Sequence, residues 1–193
     1  MSLLGLDIGT TGCKAIAFDE NGRLLASAYR EYPLLNPRPG FFELEPDLVW
    51  SYLCDCIRQI NGEISGDPST ALAISAQGEA VVPVTKTGKV LAHSPVTADS
   101  RAIKQTNRLR DRLGADAIYA ISGQPVHCQF SIPKITWWKE NDPSLYEQTW
   151  KFLCYGDFAG SSRTDLGAAA NRARHGNCTR ANPIHCRGLR ESG

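Results

Sequence analysis

The sequence predicts an α/β fold in which a mixed sheet begins with three antiparallel strands and is flanked by helices. Short apolar runs at residues 3–8 and 15–18 have the length of strands and are separated by a Gly-Thr-Thr-Gly turn. After Pro46, apolar residues recur instead at the spacing of an amphipathic helix. The apolar run 70–75 then ends in polar residues, as buried parallel strands of α/β sheets do.

The loop between the first two strands carries groups that suit phosphate. Two glycines let another group approach the backbone closely, and hydroxyl and ammonium groups add hydrogen-bond donors. The phosphate-binding candidates are Gly9, Thr10, Thr11, Gly12 and Lys14. Asp7, at the end of the first strand, is placed to hold a magnesium ion or its water. The spacing fits neither the P-loop nor the dinucleotide-binding pattern, and an ordinary hairpin that needs glycines to turn is the alternative.

Length, charge and cysteine content limit the classes of protein to consider. The 193 residues can bury a core and are most simply one domain with room for an appendage. A net charge of +1 argues against a general nucleic-acid or membrane-surface binder. No apolar run approaches the roughly 20 residues of a membrane span, and the N-terminus lacks a signal-peptide pattern. Seven cysteines at scattered positions suggest reduced thiols, so we expect a cytoplasmic protein.

The first half of the chain continues with a third strand at residues 23–32, after a turn at Gly22, and with a loop at 36–40. Pro46 suits the first turn of a helix. The apolar residues that would form the buried face of this helix are Leu48, Val49, Tyr52, Leu53, Cys56, Ile57 and Ile60. Gly62 is its predicted stop.

The second half alternates further short strands with helices. Its predicted elements are, in order, a hairpin of residues 81–84 and 89–92, a helix at about 101–113, a helical turn at 116–122 that Gly123 breaks, a helix from 133, a strand at 151–155 and a helix that begins at 156–158.

Residues 3 to about 158 resemble the N-terminal domain of the FGGY carbohydrate kinases, the family of xylulokinase, gluconokinase and glycerol kinase. The segments that carry the resemblance are residues 7–14, Glu43-x-Glu45-Pro46, residues 74–79, Asp99-Ser100-Arg101, Pro133-Lys134-Ile135-x-Trp137 and residues 152–158. Their order and spacing are more specific than any one of them. The resemblance implies a ribonuclease-H-like (actin-like ATPase) fold, ATP and Mg²⁺ as cofactors, and a sugar or polyol as substrate.

The resemblance also implies roles for single residues. It places Asp7 at the metal and the loop residues named above at the ATP phosphates. The residues that match substrate-binding positions are Gln77, Gly78, Glu79, Asp99 and Gln129. Gly78-Glu79 matches neither the Arg-Glu of glycerol kinases nor the Met-His of xylulokinases, and Thr97 replaces the tryptophan that usually walls the sugar. Lys14 could instead be a solvated strand residue, and Asp99 could cap a helix.

Residues 159–193 differ in composition from the part before them. They are rich in Ala, Arg and Gly, and their only large aliphatic residues are Leu166, Ile184 and Leu189. We therefore expect a kinase domain at 1–158 and an unrelated or out-of-frame, disordered tail at 159–193. The proton-accepting aspartate of the family is expected downstream of the resemblance. This chain then holds no catalytic residue and is expected to be inactive.

Two other function classes stay open. One is a non-catalytic actin-like module that holds nucleotide without turnover. The other is a ribonuclease-H-type nuclease, which needs several clustered carboxylates for two metals, whereas only Asp7 is placed convincingly. For partners, the resemblance implies a sugar or polyol, with no nucleic acid and no membrane, and it leaves a homodimer open for the full-length protein.

Overall fold

The computed structural model describes residues 1–64, 66–67 and 69–161. Its strands are β1 (Ser2–Ile8), β2 (Gly12–Asp19), β3 (Leu24–Glu31), β4 (Glu43–Leu44), β5 (Ser69–Ala76), β6 (Val81–Val84), β7 (Ser94–Pro95) and β8 (Lys151–Cys154). Its helices are α1 (Pro46–Glu63), α2 (Ile103–Leu113), α3 (Ala115–Ser122), α4 (Ser131–Asn141), α5 (Pro143–Gln148) and α6 (Tyr155–Ser161). The predicted α/β class is confirmed.

Four strands form the central sheet, in the order β3-β2-β1-β5. β1 pairs antiparallel with β2, and β2 pairs antiparallel with β3, whereas β5 runs parallel to β1. The prediction of a mixed sheet that opens with three antiparallel strands is therefore confirmed. Side chains alternate between the two faces of a strand, so Leu4, Leu6 and Ile8 are buried while Leu3 and Asp7 on the opposite face of β1 are exposed.

Helix α1 covers the apolar face of this sheet by packing across β2 and β3. Its buried residues include Val49, Leu53, Cys56, Ile57 and Ile60, at the predicted helical spacing. Full burial of one Leu or Ile side chain contributes roughly 1.5–3 kcal/mol, so this face fixes α1 on the sheet. The helix begins at Pro46, as predicted, and ends at Glu63, one residue beyond the predicted stop at Gly62. Helix ends fray by a residue or two, which accounts for the difference.

A second group of elements surrounds β6, which pairs antiparallel with β8. The hairpin predicted between residues 81–84 and 89–92 forms only in part, because its returning arm is reduced to a bridge between Val84 and Val90. The Leu91 N–H donates to the Pro83 carbonyl at 3.0 Å. Pro83 has no N–H with which to return a bond. A continuous ladder therefore cannot form on this side of β6.

The predicted helices at about 101–113, at 116–122 and from 133 correspond to α2, α3 and α4, and α6 follows β8 as expected. Gly123 ends α3 in the left-handed conformation, with φ 68°. Helix α5 is not among the predicted elements, since six residues are too few to show a helical period. It begins after Asp142, whose side chain accepts a hydrogen bond from the Leu145 N–H at 3.0 Å.

Strand β5 corrects one expectation. The sequence predicts a buried strand, but none of its residues is buried and Leu72 is 40% exposed. Within the described residues, β5 is the outermost strand on its side of the sheet. An apolar run indicates a strand that could be buried. Whether the strand is actually buried depends on the elements that pack beside it. The opposite edge strand, β3, carries Arg30 and Glu31, and β5 carries no charged residue.

The tail predicted at 159–193 lies outside the described residues, apart from residues 159–161, which end α6. The boundary at 158 therefore stays a prediction. In the part of the chain that the structure describes, no helix combines the length and the apolar character that crossing a membrane requires.

Candidate functional site

The loop between β1 and β2 is held by backbone hydrogen bonds and by a buried tyrosine. The Gly9 N–H donates to the Gly12 carbonyl at 2.9 Å, which closes the turn. Tyr32 donates its hydroxyl to the Gly9 carbonyl at 2.6 Å and its backbone N–H to the Thr11 carbonyl at 3.2 Å. Burial raises the pKa of the Tyr32 phenol, which favours its protonated, hydrogen-donating form. Three carbonyls of the loop are thus occupied by protein donors.

Two backbone N–H groups of this loop remain open. Those of Thr10 and Thr11 donate to no group among the described residues. The Thr11 side chain is exposed and makes no hydrogen bond there either. Successive free N–H groups in a turn create a concavity of positive partial charge that binds anions. The loop therefore offers donors to a phosphate group, even though its glycines also serve the hairpin turn.

Strand pairing brings Asp7 beside two polar residues. Asp7 lies opposite Lys14 on β2 and opposite Ser75 on β5, and all three side chains are exposed. Directly opposite residues have Cβ atoms roughly 4.5–5.5 Å apart. Neither Asp7 nor Lys14 forms a hydrogen bond or an ion pair with a described residue. A carboxylate and an ammonium are therefore available to a ligand at the end of the hairpin. The exposure of Lys14 fits a phosphate ligand and a solvated strand residue equally well.

Gly12 begins β2 and packs closely against β3. A Cβ atom on Gly12 would lie 2.4 Å from the Tyr29 hydroxyl oxygen and 2.7 Å from the Arg30 carbonyl oxygen. Carbon atoms in ordinary contact are about 3.5–4.0 Å apart. A side chain at this position would therefore displace either the loop or β3, so only glycine fits here without a shift.

Gln77 joins the loop to the carboxyl end of β5. Its backbone N–H donates to the Ile8 carbonyl at 2.8 Å, and its side-chain Nε2 donates to the Gly9 carbonyl at 3.2 Å. In return, Thr10 Oγ1 donates to Gln77 Oε1 at 3.2 Å. The structure thus brings one residue predicted to meet substrate into direct contact with the predicted phosphate loop.

Glu79 is held at both its main chain and its side chain. Its φ of 59° lies in the left-handed region, which non-glycine residues adopt rarely and only where surrounding contacts enforce it. The carboxylate oxygen Oε2 accepts hydrogen bonds from the Ser131 N–H and from Ser131 Oγ, both at 2.6 Å. Ser131 begins α4, where the helix dipole favours negative charge. The other oxygen, Oε1, accepts no hydrogen bond from a described residue.

Lys134, one turn further along α4, is fully buried. Its Nζ donates to the Glu79 carbonyl at 2.7 Å and to the Gln129 carbonyl at 2.6 Å. Burial lowers the pKa of the Lys134 ammonium from 10.5 to about 8, against the attraction of Asp99 and Glu79. Two residues predicted to bind substrate, Glu79 and Gln129, are therefore bridged by a buried cation.

Asp99 is 1% exposed, and both of its oxygens are occupied. Oδ1 accepts from the Arg101 N–H at 3.0 Å and from Arg101 Nε at 2.9 Å, and Oδ2 accepts from Arg101 Nη2 and from the Phe42 N–H, each at 2.8 Å. Arg101 also donates to Glu43 Oε1 at 2.5 Å. The helix-cap alternative is not observed, because Ala102 occupies the N-cap position of α2 and no side chain caps that helix. Asp99 instead anchors Arg101.

The remaining substrate-binding candidates lie around the same strand end. The exposed Gly78 offers its carbonyl to Thr97 Oγ1 at 3.4 Å. Gln129 is half-buried, and its N–H donates to His127 Nδ1 at 3.1 Å. Hydrogen bonds therefore connect the loop before α4, the end of β5 and the β1–β2 loop, whereas Asp99 belongs to a separate buried ion-pair cluster with Arg101 and Glu43.

Three residues with structural roles at this site have none in the sequence analysis: Tyr32, Ser131 and Lys134. The signal for Lys134 was a lysine placed between Pro133 and Ile135 in an apolar helical segment. Polarity at a core-facing position indicates a buried partner. Its partners are backbone carbonyls, which carry no side-chain signature.

Asp7 supplies a carboxylate at the loop end of the hairpin. Among the described residues, no group of three or more His, Cys, Asp or Glu side chains could hold a metal ion. Mg²⁺ is commonly bound by one or two carboxylates together with phosphate oxygens and water. A single carboxylate beside open phosphate donors fits a magnesium–phosphate group and gives no support to a two-metal nuclease site.

Comparison with known proteins agrees with this geometry. Residues 2–167 match the model of the FGGY family of carbohydrate kinases, N-terminal domain. The "Probable L-xylulose kinase" of Haemophilus influenzae is 31% identical over 157 residues, which is 80% of this chain and 32% of that protein. The glycerol kinase of Acidovorax ebreus is 36% identical over 146 residues, covering 73% of this chain and 29% of the relative.

Solved structures give the same result. The crystal structure of gluconate kinase from Lactobacillus acidophilus has a TM-score of 0.77 and 27% identity, over 81% of this chain and 32% of that one. The similarity confirms the predicted ribonuclease-H-like, actin-like ATPase fold. This chain spans about a third of the length of the relatives it matches. The chain belongs to the FGGY family of carbohydrate kinases, and its similarity lies in the N-terminal domain of that family.

Proposed function

We propose that the complete protein transfers the terminal phosphoryl group of ATP to a hydroxyl of a sugar or polyol. In this proposal the present chain supplies the phosphate loop and part of the substrate site. The observation that carries it is the pair of open N–H groups at Thr10 and Thr11, beside the exposed side chains of Asp7 and Lys14. Membership of the FGGY family supports the class of reaction.

The proposed roles on the ATP side follow from charge. Phosphate oxygens accept hydrogen bonds from the two N–H groups, and the Lys14 ammonium offsets their negative charge. Asp7 would hold Mg²⁺, which supplies further neutralisation of the phosphates when bound. In phosphoryl transfer the protein chiefly positions the reactants and neutralises charge. This hairpin is suited to that work.

The proposed substrate side is the end of β5 and the loop before α4. Gln77, Gly78, Glu79 and Gln129 would meet hydroxyl groups, which both donate and accept hydrogen bonds. The Glu79 oxygen Oε1 is the clearest acceptor, since it has no partner among the described residues while Oε2 is fixed by Ser131. Asp99 would contribute through the ion-pair cluster that it forms with Arg101 and Glu43.

The nucleotide half of the proposal is tested by calorimetry of this chain with Mg²⁺ and ADP or ATP. We expect weak binding that Asp7→Asn reduces roughly 10- to 100-fold, since a hydrogen bond to a charged group contributes about 1.5–3 kcal/mol. Asp116→Asn, at an exposed position in the first turn of α3, is the matched control and should bind like the parent. Equal affinity of Asp7→Asn and the parent would contradict the assignment.

We further propose that this chain alone does not phosphorylate sugar, and that the full protein acts in the cytoplasm. Holding the reactants together contributes roughly 7–11 kcal/mol to catalysis, and a general base about 10²–10⁴-fold. The base is expected outside this chain. A coupled ADP-release assay with xylulose, gluconate and glycerol tests this proposal. Sugar-dependent turnover by this chain would refute its proposed inactivity. If the complete protein also shows no sugar-dependent turnover, a nucleotide-binding module without catalysis is favoured.

A further inference from the structure

Among the described residues, Lys134 is a buried charged residue that is held by backbone carbonyls instead of an ion pair. It is fully buried, yet no carboxylate of a described residue lies within ion-pair distance of its Nζ. Burial of an ammonium is costly unless its hydrogen-bonding capacity is satisfied. Here two backbone carbonyls, those of Glu79 and Gln129, accept from it at 2.7 Å and 2.6 Å. The energetic cost of burial is therefore compensated by joining two stretches of main chain.

These two stretches are far apart in sequence and lie at one site. Glu79 follows β5, and Gln129 precedes α4. An ammonium has three donors around one compact centre, so it can hold two carbonyl oxygens close together. An apolar residue at this position would leave both carbonyl oxygens without a donor. Lys134 therefore joins the strand end to the loop through these two hydrogen bonds.

Helix α4 holds Glu79 at a second point. Ser131 and Lys134 are three residues apart, which places them on the same face of the helix. Ser131 binds the Glu79 carboxylate, and Lys134 binds the Glu79 carbonyl. The left-handed φ of 59° at Glu79 persists only where surrounding contacts enforce it. Together, these contacts orient the one oxygen of Glu79 that has no described partner.

We propose that Lys134 is a positioning residue for the polyol site, whose ammonium fixes the Glu79 turn and the Gln129 loop relative to each other. This inference rests on the function proposed above for the same strand end. Lys134 acts through Glu79 and Gln129 and does not itself touch the reacting atoms. Loss of the ammonium should loosen both segments and weaken polyol binding while leaving the β1–β2 hairpin unchanged.

The test compares Lys134→Met with the parent chain by amide hydrogen exchange. We expect exchange at residues 77–80 and 127–131 to become roughly tenfold faster or more, as loss of charged hydrogen bonds predicts. Exchange in β1 and β2 should stay unchanged. Lys139→Met is the matched control, since Lys139 lies on the same helix with an exposed side chain. It should leave all of these segments unaffected.

A second variant and a second measurement separate this role from a general effect on folding. Lys134→Gln keeps two donors on a shorter side chain, so it should raise amide exchange at the same residues by a smaller factor. Saturation-transfer NMR with glycerol, gluconate and xylulose should detect binding to the parent that both variants reduce. Calorimetry with Mg²⁺ and ADP should give parent-like affinity for both variants.

The outcomes are distinct. A folded Lys134→Met chain with unchanged exchange at residues 77–80 and 127–131 overturns the proposal, and so does the global unfolding of both variants. Failure of the parent to bind any polyol counts against the proposed substrate site. In that case the exchange data still decide whether Lys134 positions these segments.

Discussion

The replacement of Gly12 by alanine tests how closely the phosphate loop is fitted to β3. The added Cβ would lie 2.4 Å from the Tyr29 hydroxyl oxygen, 2.6 Å from its Cζ and 2.7 Å from the Arg30 carbonyl oxygen. The Tyr29 side chain is about half exposed and can rotate away. The Arg30 carbonyl belongs to the strand pair in which Cys13 lies opposite Arg30, so it cannot retreat alone. The two strands must therefore separate locally.

The size of the effect follows from two opposing terms. Overpacking of this kind costs about 1–3 kcal/mol. Alanine also reduces the conformational freedom of the unfolded chain, which returns roughly 0.4–1 kcal/mol where the native conformation tolerates it. We expect a net destabilisation of about 1–2 kcal/mol for Gly12→Ala. For a domain of this size that is a fall in Tm of roughly 2–8 °C.

Thermal and urea unfolding, followed by circular dichroism, measure this change. Gly62→Ala is the matched control, because Gly62 lies in α1 with nothing within 4 Å of an added Cβ. It should stabilise the chain by roughly 0.5–1 kcal/mol. In a Tyr29→Ala background the cost of Gly12→Ala should shrink but persist, since the Arg30 carbonyl remains. Stability of Gly12→Ala equal to the parent, or complete loss of its cost in that background, would refute the reasoning.

Three further predictions concern buried groups, each measured by urea unfolding. Arg101→Met leaves the buried Asp99 carboxylate without its cation and should cost roughly 3–5 kcal/mol, whereas Arg110→Met, which removes an exposed pair, should change stability by less than about 1 kcal/mol. Leu53→Ala, at a fully buried position of α1, should cost about 2–5 kcal/mol. Because burial lowers the pKa of Lys134 from 10.5 to about 8, the unfolded chain binds more protons between these values. The Lys134 contribution to stability should therefore rise as pH increases through that window, and the rise should be absent from Lys134→Met.

The sequence predicts well those elements whose pattern of apolar residues is set by local structure. The β1–β2 hairpin follows from two apolar runs and a Gly-Thr-Thr-Gly turn, and α1 follows from apolar residues at helical spacing after Pro46. The exposure of β5 could not be predicted in the same way. Whether Leu72 is buried depends on which elements lie beside the strand, and the composition of the strand does not record that.

Part of the candidate site depends on contacts between distant residues, which local patterns do not encode. The polar residues at Gln77 and Glu79 could be placed at a strand end, because the carboxyl ends of parallel strands are where α/β sheets bind ligands. Their attachment to the hairpin and to α4 is formed through Thr10, Ser131 and Lys134. The burial of Asp99 likewise depends on Arg101, whose guanidinium wraps back over a residue two positions earlier.

Among the described residues, β5 leaves an uncharged outer edge, which has a consequence for behaviour in concentrated solution. Natural edge strands are protected from mispairing by charged residues, and β3 carries Arg30 and Glu31. β5 presents Ser-Thr-Ala-Leu-Ala-Ile-Ser-Ala without a charge or a proline. Such a segment is a template for strand addition between molecules. Aggregation of the purified chain should therefore start at this edge, and a lysine in place of Leu72 should delay it more than a lysine in place of Leu25 on β3.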